Sequence, residues 1–314
     1  MTHLLQLYGG VVPTIVSDSA VSASWASALG LPYRRVDELT ETSDAVPSAA
    51  LVILTRDENY ARQAFLGDSF AKSRSLWLPL AAFDGCDEAV SYALGHLARM
   101  DFAGMLQGHL AALEFVEESS KMSFEGDHGT RFEVGFGPEV EFTMLQDLEV
   151  PVGEPVSLAS FFEFATEIYT ETFTSGLPLP FVVDGVLSPS GILCAYAPGA
   201  YHADDTVVLD ARRLARRAAS ARTRVRISNG VIDAVEMDGE EVTQEFSKFA
   251  GPHGLRATEF AIGFHQAPED SLDWRINSPV NEGVQGIHVG IGDGQTSLHF
   301  DFVCDDVAAV TTGY

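Results

Sequence analysis

The first third of the chain alternates short, mainly apolar runs with stretches in which apolar residues follow a helical spacing. The short runs predict strands: Leu4–Tyr8, Leu51–Thr55 and Leu76–Leu80. The stretches with helical spacing lie between and after these runs: Ser19–Leu29, which Gly30 ends, then Glu58–Phe70 and Asp87–Glu117. Because strands and helices alternate, the sequence predicts a small parallel sheet that is covered by helices.

The pattern changes at Glu117–Ser120, and from there on apolar and polar residues alternate with a period of two. Arg131–Gly135 and Val140–Met144 show this alternation, which predicts half-buried strands. Thr223–Glu236 predicts a β-hairpin, because Asn229–Gly230 supplies the two positive-φ residues of a type I′ turn between two alternating stretches.

The last alternating stretch, Gly283–Phe302, contains a turn at Gly292–Gly294. The chain is long enough for two modest domains, and the change of pattern places the boundary between them near residue 118. The sequence therefore predicts an α/β fold. A small α/β domain would cover residues 1–118, and a β-rich domain with the functional site would cover residues 119–314.

The chain carries 45 acidic and 19 basic residues, which gives a formal net charge of −26. A field of this sign repels phosphate groups, so we expect neither nucleic acid nor an anionic membrane as a partner. The same field attracts cations, including metal ions. A strongly acidic surface also serves simply to keep a protein in solution, and charge alone does not decide between these roles.

The three cysteines, Cys86, Cys194 and Cys304, are far apart and form no Cys-x-x-Cys pair. This pattern matches neither a disulfide framework nor a thiolate zinc site. The first residues, MTHLLQLYGG, have no basic segment and too short an apolar run for a signal peptide. No apolar run reaches the ~20 residues that a membrane-spanning helix needs. We therefore expect a protein of the reducing cytoplasm.

Candidate metal ligands are concentrated near the end of the chain. His299 and Asp301 are two residues apart in a predicted strand, so both side chains point to the same face, while Phe300 points to the other. His288 lies in another predicted strand and is flanked by glycines. Because the neighbours are apolar, and a buried charge must be paired or bound to a metal, this pattern favours a metal site. The alternative is a simple His–Asp hydrogen bond at the edge of a sheet.

Four short motifs of the chain resemble, in the same order, those of the aminopeptidase T and aminopeptidase S family of metallopeptidases. That family carries a Pro-Gly-Glu turn, a Glu-Leu-Gly-Ile-Gly segment, a His-Ile-Ala-Leu-Gly strand and a terminal His-Trp-Asp strand. The corresponding residues here are Pro151–Glu154 (PVGE), Glu259–Gly263 (EFAIG), His288–Gly292 (HVGIG) and His299–Asp301 (HFD).

In that family two divalent ions share these carboxylates and imidazoles. The resemblance therefore implies a metal site with five ligands: Glu154, Glu259, His288, His299 and Asp301. Oxygen and nitrogen ligands without thiolates suit zinc, which we expect first, and also manganese, cobalt or iron. By the same resemblance the protein would be a metal-dependent hydrolase of a peptide bond and a homodimer, with Glu154 and Glu259 as catalytic groups.

The chain departs from the family at the catalytic tyrosine, which in the family follows the His-Ile-Ala-Leu-Gly strand. Here Asp293 follows Gly292, and Tyr196 or Tyr201 could take that role only through the fold. The first domain is also smaller than usual. These departures favour a narrow, specialised peptide substrate. They also support a second hypothesis, in which the protein binds and presents a peptide in a peptide-tailoring pathway without efficient turnover.

A third hypothesis follows from a related branch of the same superfamily, the ring-opening 2,5-dihydroxypyridine dioxygenases. These enzymes use one Fe(II) that is held by two histidines and an aspartate. By this resemblance, His265 would supply such a triad together with His299 and Asp301. Alternatively, His265 is a polar loop residue that follows a turn.

The basic residues are concentrated in one cluster of arginines: Arg212, Arg213, Arg216, Arg217, Arg222, Arg224 and Arg226. This cluster could hold a carboxylate or an acidic peptide. The alternative is a solvated face that balances nearby acidic residues.

Overall fold

The computed structural model describes residues 2–39, 46–62, 67–175, 178–200, 204–267 and 271–310. The α-helices are α1 Thr2–Leu7, α2 Ala20–Leu29, α3 Asp57–Tyr60, α4 Asp87–Leu97, α5 Phe102–Glu118, α6 Ala159–Phe162, α7 Thr170–Ser175, α8 Asp205–Arg217, α9 Thr243–Phe249 and α10 Pro279–Glu282. Within the described residues, no helix combines the length and the apolar character that crossing a bilayer requires.

The strands form three sheets, so the predicted α/β fold class is confirmed. Their bounds are β1 Thr14–Ser17, β2 Tyr33–Arg35, β3 Ala49–Ile53, β4 Arg74–Leu78, β5 Lys121–Gly126, β6 Arg131–Phe136, β7 Pro155–Ser157, β8 Glu163–Glu167, β9 Phe181–Leu187, β10 Gly191–Ala195, β11 Thr223–Ser228, β12 Val231–Met237, β13 Glu240–Glu241, β14 Ala257–Gly263, β15 Gly286–Ile291, β16 His299–Cys304 and β17 Val307–Ala309.

Five parallel strands form the first sheet, in the order β2-β1-β3-β4-β7. Leu51, Ile53 and Leu76 face one apolar core with residues of α1, α2, α4 and α5. Val52 and Trp77 face a second apolar core on the opposite side. The predicted runs around Leu51 and Leu76 are strands of continuous apolar character because both faces of this sheet are buried.

The strand predicted over Leu4–Tyr8 is wrong, because this segment forms α1. Leu4, Leu7 and Tyr8 are buried, whereas the residues between Leu4 and Leu7 are more exposed. This i, i+3, i+4 spacing is that of one helix face. The Tyr8 hydroxyl also donates a hydrogen bond to the Ala50 carbonyl at 2.9 Å, which fixes the chain after α1 to the parallel sheet.

The single helix predicted over Asp87–Glu117 is two helices, α4 and α5. Asp101 interrupts it, because its side chain caps α5 by accepting a hydrogen bond from the Gly104 amide at 3.1 Å. The helix predicted over Ser19–Leu29 is confirmed as α2, which ends at Gly30 in a left-handed conformation.

Two other predicted elements are present only in part. Of the helix predicted over Glu58–Phe70, the structure shows α3 and a further helical turn at residues 67–69, and residues 63–66 lie outside the described residues. The strand predicted over Val140–Met144 is reduced to an isolated bridge between Thr143 and Ala165.

Strands from residue 121 onward, apart from β7, form two sheets that pack face to face. A seven-stranded sheet has the order β13-β12-β11-β9-β6-β5-β17, and a five-stranded antiparallel sheet has the order β10-β16-β15-β14-β8. Phe260 of β14 joins their common core, with its ring 5.9 Å from that of Phe124 and 6.5 Å from that of Phe181. The predicted hairpin is confirmed as β11 and β12, with φ values of 52° at Asn229 and 73° at Gly230.

Strand alternation gives the five-stranded sheet two chemically different faces. Val289, Phe300 and Phe302 point into the core that is shared with the seven-stranded sheet. His288 and Asp301 alternate with them along β15 and β16, so they point to the opposite face. Helices α6 and α10 pack near this second face, which carries the candidate site.

The predicted boundary at residue 118 does not separate the sheets cleanly. β7 comes after this boundary, yet it pairs with β4 as the edge strand of the parallel sheet. The division into residues 1–118 and 119–314 stays a prediction.

His109 of α5 ties this helix to two other segments. Its Nδ1 accepts a hydrogen bond from the Leu145 amide at 3.2 Å, and its Nε2 donates to the Phe161 carbonyl at 3.3 Å. A neutral imidazole satisfies both partners. Burial lowers the pKa of His109 to about 4 from an ordinary value of 6.5.

We expect His109 to lower the free energy of unfolding as the pH falls from 6.5 toward 4. In this window the unfolded chain binds a proton at this position and the folded chain does not, so up to about 1.4 kcal/mol is lost per pH unit. Denaturant unfolding at several pH values, on the wild type and on His109→Gln, measures this contribution. The variant keeps a donor and an acceptor but no titration, so its stability should depend less steeply on pH. Equal slopes would contradict the assignment.

Candidate metal centre

The second face of the five-stranded sheet gathers acidic and histidine side chains from four strands and one short helix. They are Glu163 and Glu167 of β8, Glu259 of β14, His288 of β15, His299 and Asp301 of β16, and Glu282 of α10. The strand register brings them together, since Gly290 of β15 lies opposite both Glu259 and Asp301.

Gly290 leaves the space that this cluster needs. A side chain at this position would place its Cβ 2.6 Å from Nε2 of His299 and 2.9 Å from Cβ of Glu259. The imidazole of His299 therefore lies directly over the glycine backbone. This contact explains why position 290, one of the glycine positions around His288, has no side chain.

His299 is closely surrounded by oxygen atoms. Its Nε2 lies 2.7 Å from Oδ1 of Asp301 and 3.0 Å from Oε2 of Glu259. Its Nδ1 donates to the Gly292 carbonyl at 2.8 Å, which orients the ring so that Nε2 faces the carboxylates. Nε2 of His288 lies 3.4 Å from Oε1 of Glu259. Glu259 thus contacts both imidazoles, one with each of its oxygens.

Three overlapping sets have ligand atoms that all lie within 4.8 Å of one another: Glu259–His299–Asp301, Glu282–His288–Asp301 and Glu163–Glu259–His288. We name the first set the outer group, and the other two together the deep group. Asp301 and Glu259 belong to both groups, so they lie where two neighbouring ions would share ligands.

Several polar atoms of the cluster are buried without a hydrogen-bond partner among the described residues: Oδ2 of Asp301, Oε2 of Glu163 and Nδ1 of His288. Asp301 and His288 are 0% exposed and Glu163 is 7% exposed. A buried carboxylate oxygen is ordinarily satisfied by a donor or by a cation. Carboxylates and imidazoles without thiolates therefore fit a divalent metal ion here. That the cluster binds one stays a prediction.

Without a metal, protons balance the charge of the cluster. Burial raises the pKa of Glu163 and of Glu282 well above the usual value, and the neighbouring carboxylates add to this rise. Burial alone would lower the pKa of both imidazoles, but the nearby carboxylates reverse this effect. The pKa of His288 therefore rises to about 9, and that of His299 rises well above its ordinary value.

Bound metal ions would balance the negative charge of the cluster in place of protons. The carboxylates of Glu163, Glu259, Glu282 and Asp301 carry four negative charges, which two divalent cations would neutralise beside neutral imidazoles. Every ion pair that the described residues make with these carboxylates involves one of the two histidines. Metal binding would therefore displace protons from the cluster.

Four of the five predicted ligands lie in this cluster, and Glu154 does not. Glu154 is exposed, lies in the turn before β7 of the parallel sheet, and belongs to none of the three sets. The backbone of the preceding Gly153 packs closely against the segment before β4, since a Cβ there would lie 2.8 Å from the Ala71 carbonyl. This packing holds the PVGE turn beside the parallel sheet. The roles of Glu154 as a ligand and as a catalytic group stay predictions.

The motif comparison misses Glu163 and Glu282, which the structure brings to the cluster. Glu163 is the single acidic residue in the apolar run Phe161–Ala165. An isolated carboxylate inside a buried strand is a signal that points to it. Glu282 has no comparable signal in the sequence, because the fold of α10 alone brings it next to β15.

His265 does not complete the triad that the dioxygenase hypothesis requires. Its Nε2 lies 3.1 Å from Nδ1 of His96, whose Nε2 donates to the Ser271 carbonyl at 3.2 Å. His265 belongs to none of the three sets that contain His299 or Asp301. The physical reason is that β14 ends before His265, so this side chain leaves the face of the sheet that carries the cluster.

A cavity of about 470 Å³ borders the outer group. Glu167, Glu259 and His299 form part of its wall, and Pro79 and Phe83 from the segment after β4 form another part. Segments that follow the carboxyl ends of parallel strands are a common location of binding sites. A second cavity of about 700 Å³ adjoins the first at Tyr60 and Ala197.

The cavity wall contains three tyrosines: Tyr60, Tyr169 and Tyr196. Tyr196 is one of the two residues that could replace the absent catalytic tyrosine, and its hydroxyl donates to Oδ2 of Asp57 at 2.8 Å. Tyr201, the other, lies outside the described residues. Tyr169 is not among the residues predicted from the sequence, and the Glu167 carboxylate raises the pKa of Tyr169.

A family model described as crocagin biosynthetic protein CgnE/B matches residues 11–311. The chain belongs to this family. The motif resemblance therefore points to the aminopeptidases, which are a different family from the CgnE/B family that the family model shows. No curated protein matches this CgnE/B-family chain at a significant level.

Several solved structures resemble this CgnE/B-family protein, among them two at low identity. One is 2,5-dihydroxypyridine dioxygenase from Pseudomonas putida KT2440, with a TM-score of 0.48 and 12% identity over 96% of this chain and 88% of that chain. The other is AmpT from Thermus thermophilus, with a TM-score of 0.44 and 13% identity over 95% of this chain and 89% of that chain. At these scores and identities, neither protein's activity transfers to this one.

The arginine cluster is largely paired with acidic residues in this CgnE/B-family protein. Arg212 and Arg216 lie 3.7 Å and 2.9 Å from the carboxylate of Asp84. Arg217 lies 2.9 Å from Glu240. These pairs favour a face that balances nearby acid over a site for a substrate carboxylate.

We expect His299→Ala to lower the bound divalent metal at least about tenfold, because an imidazole ligand is lost. Elemental analysis of the purified, folded variant measures this loss. The matched control is Glu154→Gln, which should keep its metal because Glu154 lies outside the cluster. Full metal content in His299→Ala would remove this residue from the site, and metal loss in Glu154→Gln would restore the motif-based ligand set.

Proposed function

We propose that this protein is a divalent-metal-dependent hydrolase that cleaves an amide bond in a specialised peptide substrate of a biosynthetic pathway. The observation that carries the proposal is the cluster of buried carboxylates and imidazoles with unsatisfied oxygens, at the wall of a cavity. A buried carboxylate oxygen without a donor or a cation is costly, and groups with such costs are concentrated at functional sites.

The residues of the chain would divide the work by position. Glu259, His299 and Asp301 of the outer group would hold an ion beside the cavity, and the deep group would hold a second ion away from solvent. A divalent ion supplies Lewis acidity, which activates water and polarises a carbonyl at neutral pH. Zinc is the first expectation for this donor set, and manganese, cobalt and iron are also suitable.

Glu167 is the candidate general base. It lies opposite Glu259 in the register of β8 and β14 and faces the cavity. Burial and the Glu259 carboxylate raise the pKa of Glu167, which brings it closer to the range in which a carboxylate exchanges protons efficiently. Tyr169, two residues further on, lines the same cavity, and its hydroxyl bonds to the Glu167 carboxylate, which it can orient.

The walls of the cavity suit a peptide. Three tyrosines provide surfaces that are apolar on the ring and polar at the hydroxyl. The adjoining cavity extends the binding surface beyond the reach of a single amino acid and is lined largely by small residues, among them Ala61, Gly199 and Ala200. Both features support an extended chain as substrate.

One observation favours a second candidate function, which is peptide binding without turnover. Nε2 of His299 lies within hydrogen-bond distance of both Asp301 and Glu259. A protonated imidazole therefore closes the outer group by itself and leaves the cavity intact without a metal. Such a protein would present the peptide to another enzyme of the pathway.

We expect metal-loaded protein to cleave a longer peptide from a library, and to lose this activity with a chelator and regain it with added divalent ion. The rate should fall as the pH is lowered, because His288 and His299 must lose their protons to bind metal. Simple aminoacyl-4-nitroanilides should be poor substrates, since the tyrosine that follows the His-Ile-Ala-Leu-Gly strand in the aminopeptidases is absent; loss of one oxyanion donor costs about 10²–10³ in rate.

Glu167→Gln tests the general base in the same assay. This variant should keep its metal, and its turnover should fall at least about 100-fold. Fast, chelator-sensitive hydrolysis of Leu-4-nitroanilide would show that the tyrosine is replaced by another group. If metal-loaded protein binds peptides and cleaves none, the binding function is preferred.

A further inference from the structure

Glu282 reaches the deep group from α10, a helix of only four residues. A single turn does not hold its own conformation in water, so other contacts must fix it. Asn277 lies just before α10 and Asn281 lies within it, and these side chains are 4% and 0% exposed. The side-chain oxygen and nitrogen atoms of buried asparagines ordinarily form hydrogen bonds.

Asn277 anchors the start of this segment to the five-stranded sheet. Its side-chain amide donates to the Cys194 carbonyl at 2.7 Å, and its Oδ1 accepts from the Cys194 amide at 2.9 Å. It therefore acts as an extra piece of backbone beside the edge strand β10. Its own backbone amide donates to Oδ2 of Asp84 at 3.1 Å.

Asn281, directly before Glu282, is held from the opposite side. Its Nδ2 donates to the carbonyls of Asp273 and Ile276 at 3.0 Å and 2.9 Å. Its Oδ1 accepts a hydrogen bond of 2.5 Å from the hydroxyl of Tyr92. The same hydroxyl accepts from the Asp273 amide at 3.2 Å. Tyr92 therefore closes a ring of hydrogen bonds around the turn that carries Glu282.

Tyr92 belongs to the first domain. It lies on α4, whose Val90, Ala93 and Leu94 pack in the core of the parallel sheet. Its ring lies 4.5 Å from that of His96, which bonds to the same segment through the Ser271 carbonyl. The packing of α4 thus fixes the position of the Tyr92 hydroxyl, and the hydroxyl fixes the turn.

We propose that Tyr92 is a positioning residue for the metal centre, through which the first domain holds Glu282 in the deep group. The proposal rests on the proposed metal-dependent function for its effect on metal binding. Its effect on the turn itself does not depend on a metal. Residues that orient metal ligands typically change metal affinity by about 10- to 100-fold when they are removed.

The test is Tyr92→Phe, which removes the hydroxyl and keeps the ring. The matched control is Tyr33→Phe, whose hydroxyl donates to the Ser17 and Ser19 carbonyls of the same domain, away from this segment. Hydrogen exchange of the metal-free protein reports on the amides of Asn281 and Gly283, which bond within the turn. Titration with Co²⁺, followed by its absorption spectrum, reports on metal affinity.

We expect Tyr92→Phe to raise the exchange of these amides and to weaken Co²⁺ binding by about 10- to 100-fold, whereas Tyr33→Phe changes neither. Asn281→Ala should act in the same direction and more strongly, because it also loses the bonds to the Asp273 and Ile276 carbonyls. Adding Tyr92→Phe to Asn281→Ala should cost little more, because the partner of the hydroxyl is already gone. Thermal unfolding of all variants separates this effect from general destabilisation.

The inference is overturned if Tyr92→Phe leaves exchange at wild-type levels, or if Tyr33→Phe shows the same loss. It is also overturned if exchange rises while Co²⁺ affinity is unchanged. If the wild type binds no metal, the proposed function fails, and exchange of the turn alone then decides whether Tyr92 holds Glu282.

Discussion

The structure depends on how four buried carboxylates are compensated where, among the described residues, the only cationic partners are two histidines. An isolated buried carboxylate is costly, so each must be protonated, paired or bound to a cation. Glu259 is paired with imidazoles, while burial favours the protonated forms of Glu163 and Glu282. Oxygens of Asp301 and Glu163 are still left without a donor. Divalent cations would meet all of these needs together.

The fold provides the two conditions under which such a cluster persists. The phenylalanine-rich core between the two C-terminal sheets gives the five-stranded sheet a rigid backing, so its other face can carry charge. Gly290 then lets the imidazole of His299 approach the backbone of the central strand. The layer of the parallel sheet supplies part of the cavity wall, through the segment after β4 and through Tyr60. A site between two such layers is shielded from water yet open to a substrate.

The sequence predicts the parts of the site that depend on local periodicity. His299 and Asp301 lie on one strand face because residues i and i+2 always do. The turn at Asn229–Gly230 is equally local, and the structure shows it as predicted. The strand prediction for Leu4–Tyr8 is wrong because a short apolar run fits one face of a helix as well as it fits a strand, and only the burial of its residues decides between them.

Convergence of distant segments could not be predicted in the same way. Glu154 and Glu163 both lie after the change of pattern near residue 118, and the short PVGE motif favours Glu154 as the metal ligand. Strand pairing determines which of the two carboxylates reaches the cluster. β7 extends the parallel sheet, whereas β8 pairs with β14 and carries Glu163 to the cluster. Glu282 depends on a single helical turn that Tyr92 and Asn281 hold. Such long-range contacts leave little trace in local sequence pattern.

The most direct test of the account is the number of protons that the metal-free protein releases when it binds a divalent ion. Calorimetric titration in buffers with different ionisation enthalpies measures this number at neutral pH. The pKa of His288 is raised to about 9, and that of His299 is raised as well, so both rings are protonated before metal binds. About two protons or more should therefore leave each protein molecule as the imidazoles become ligands. Binding without proton release, or no binding at all, would contradict it.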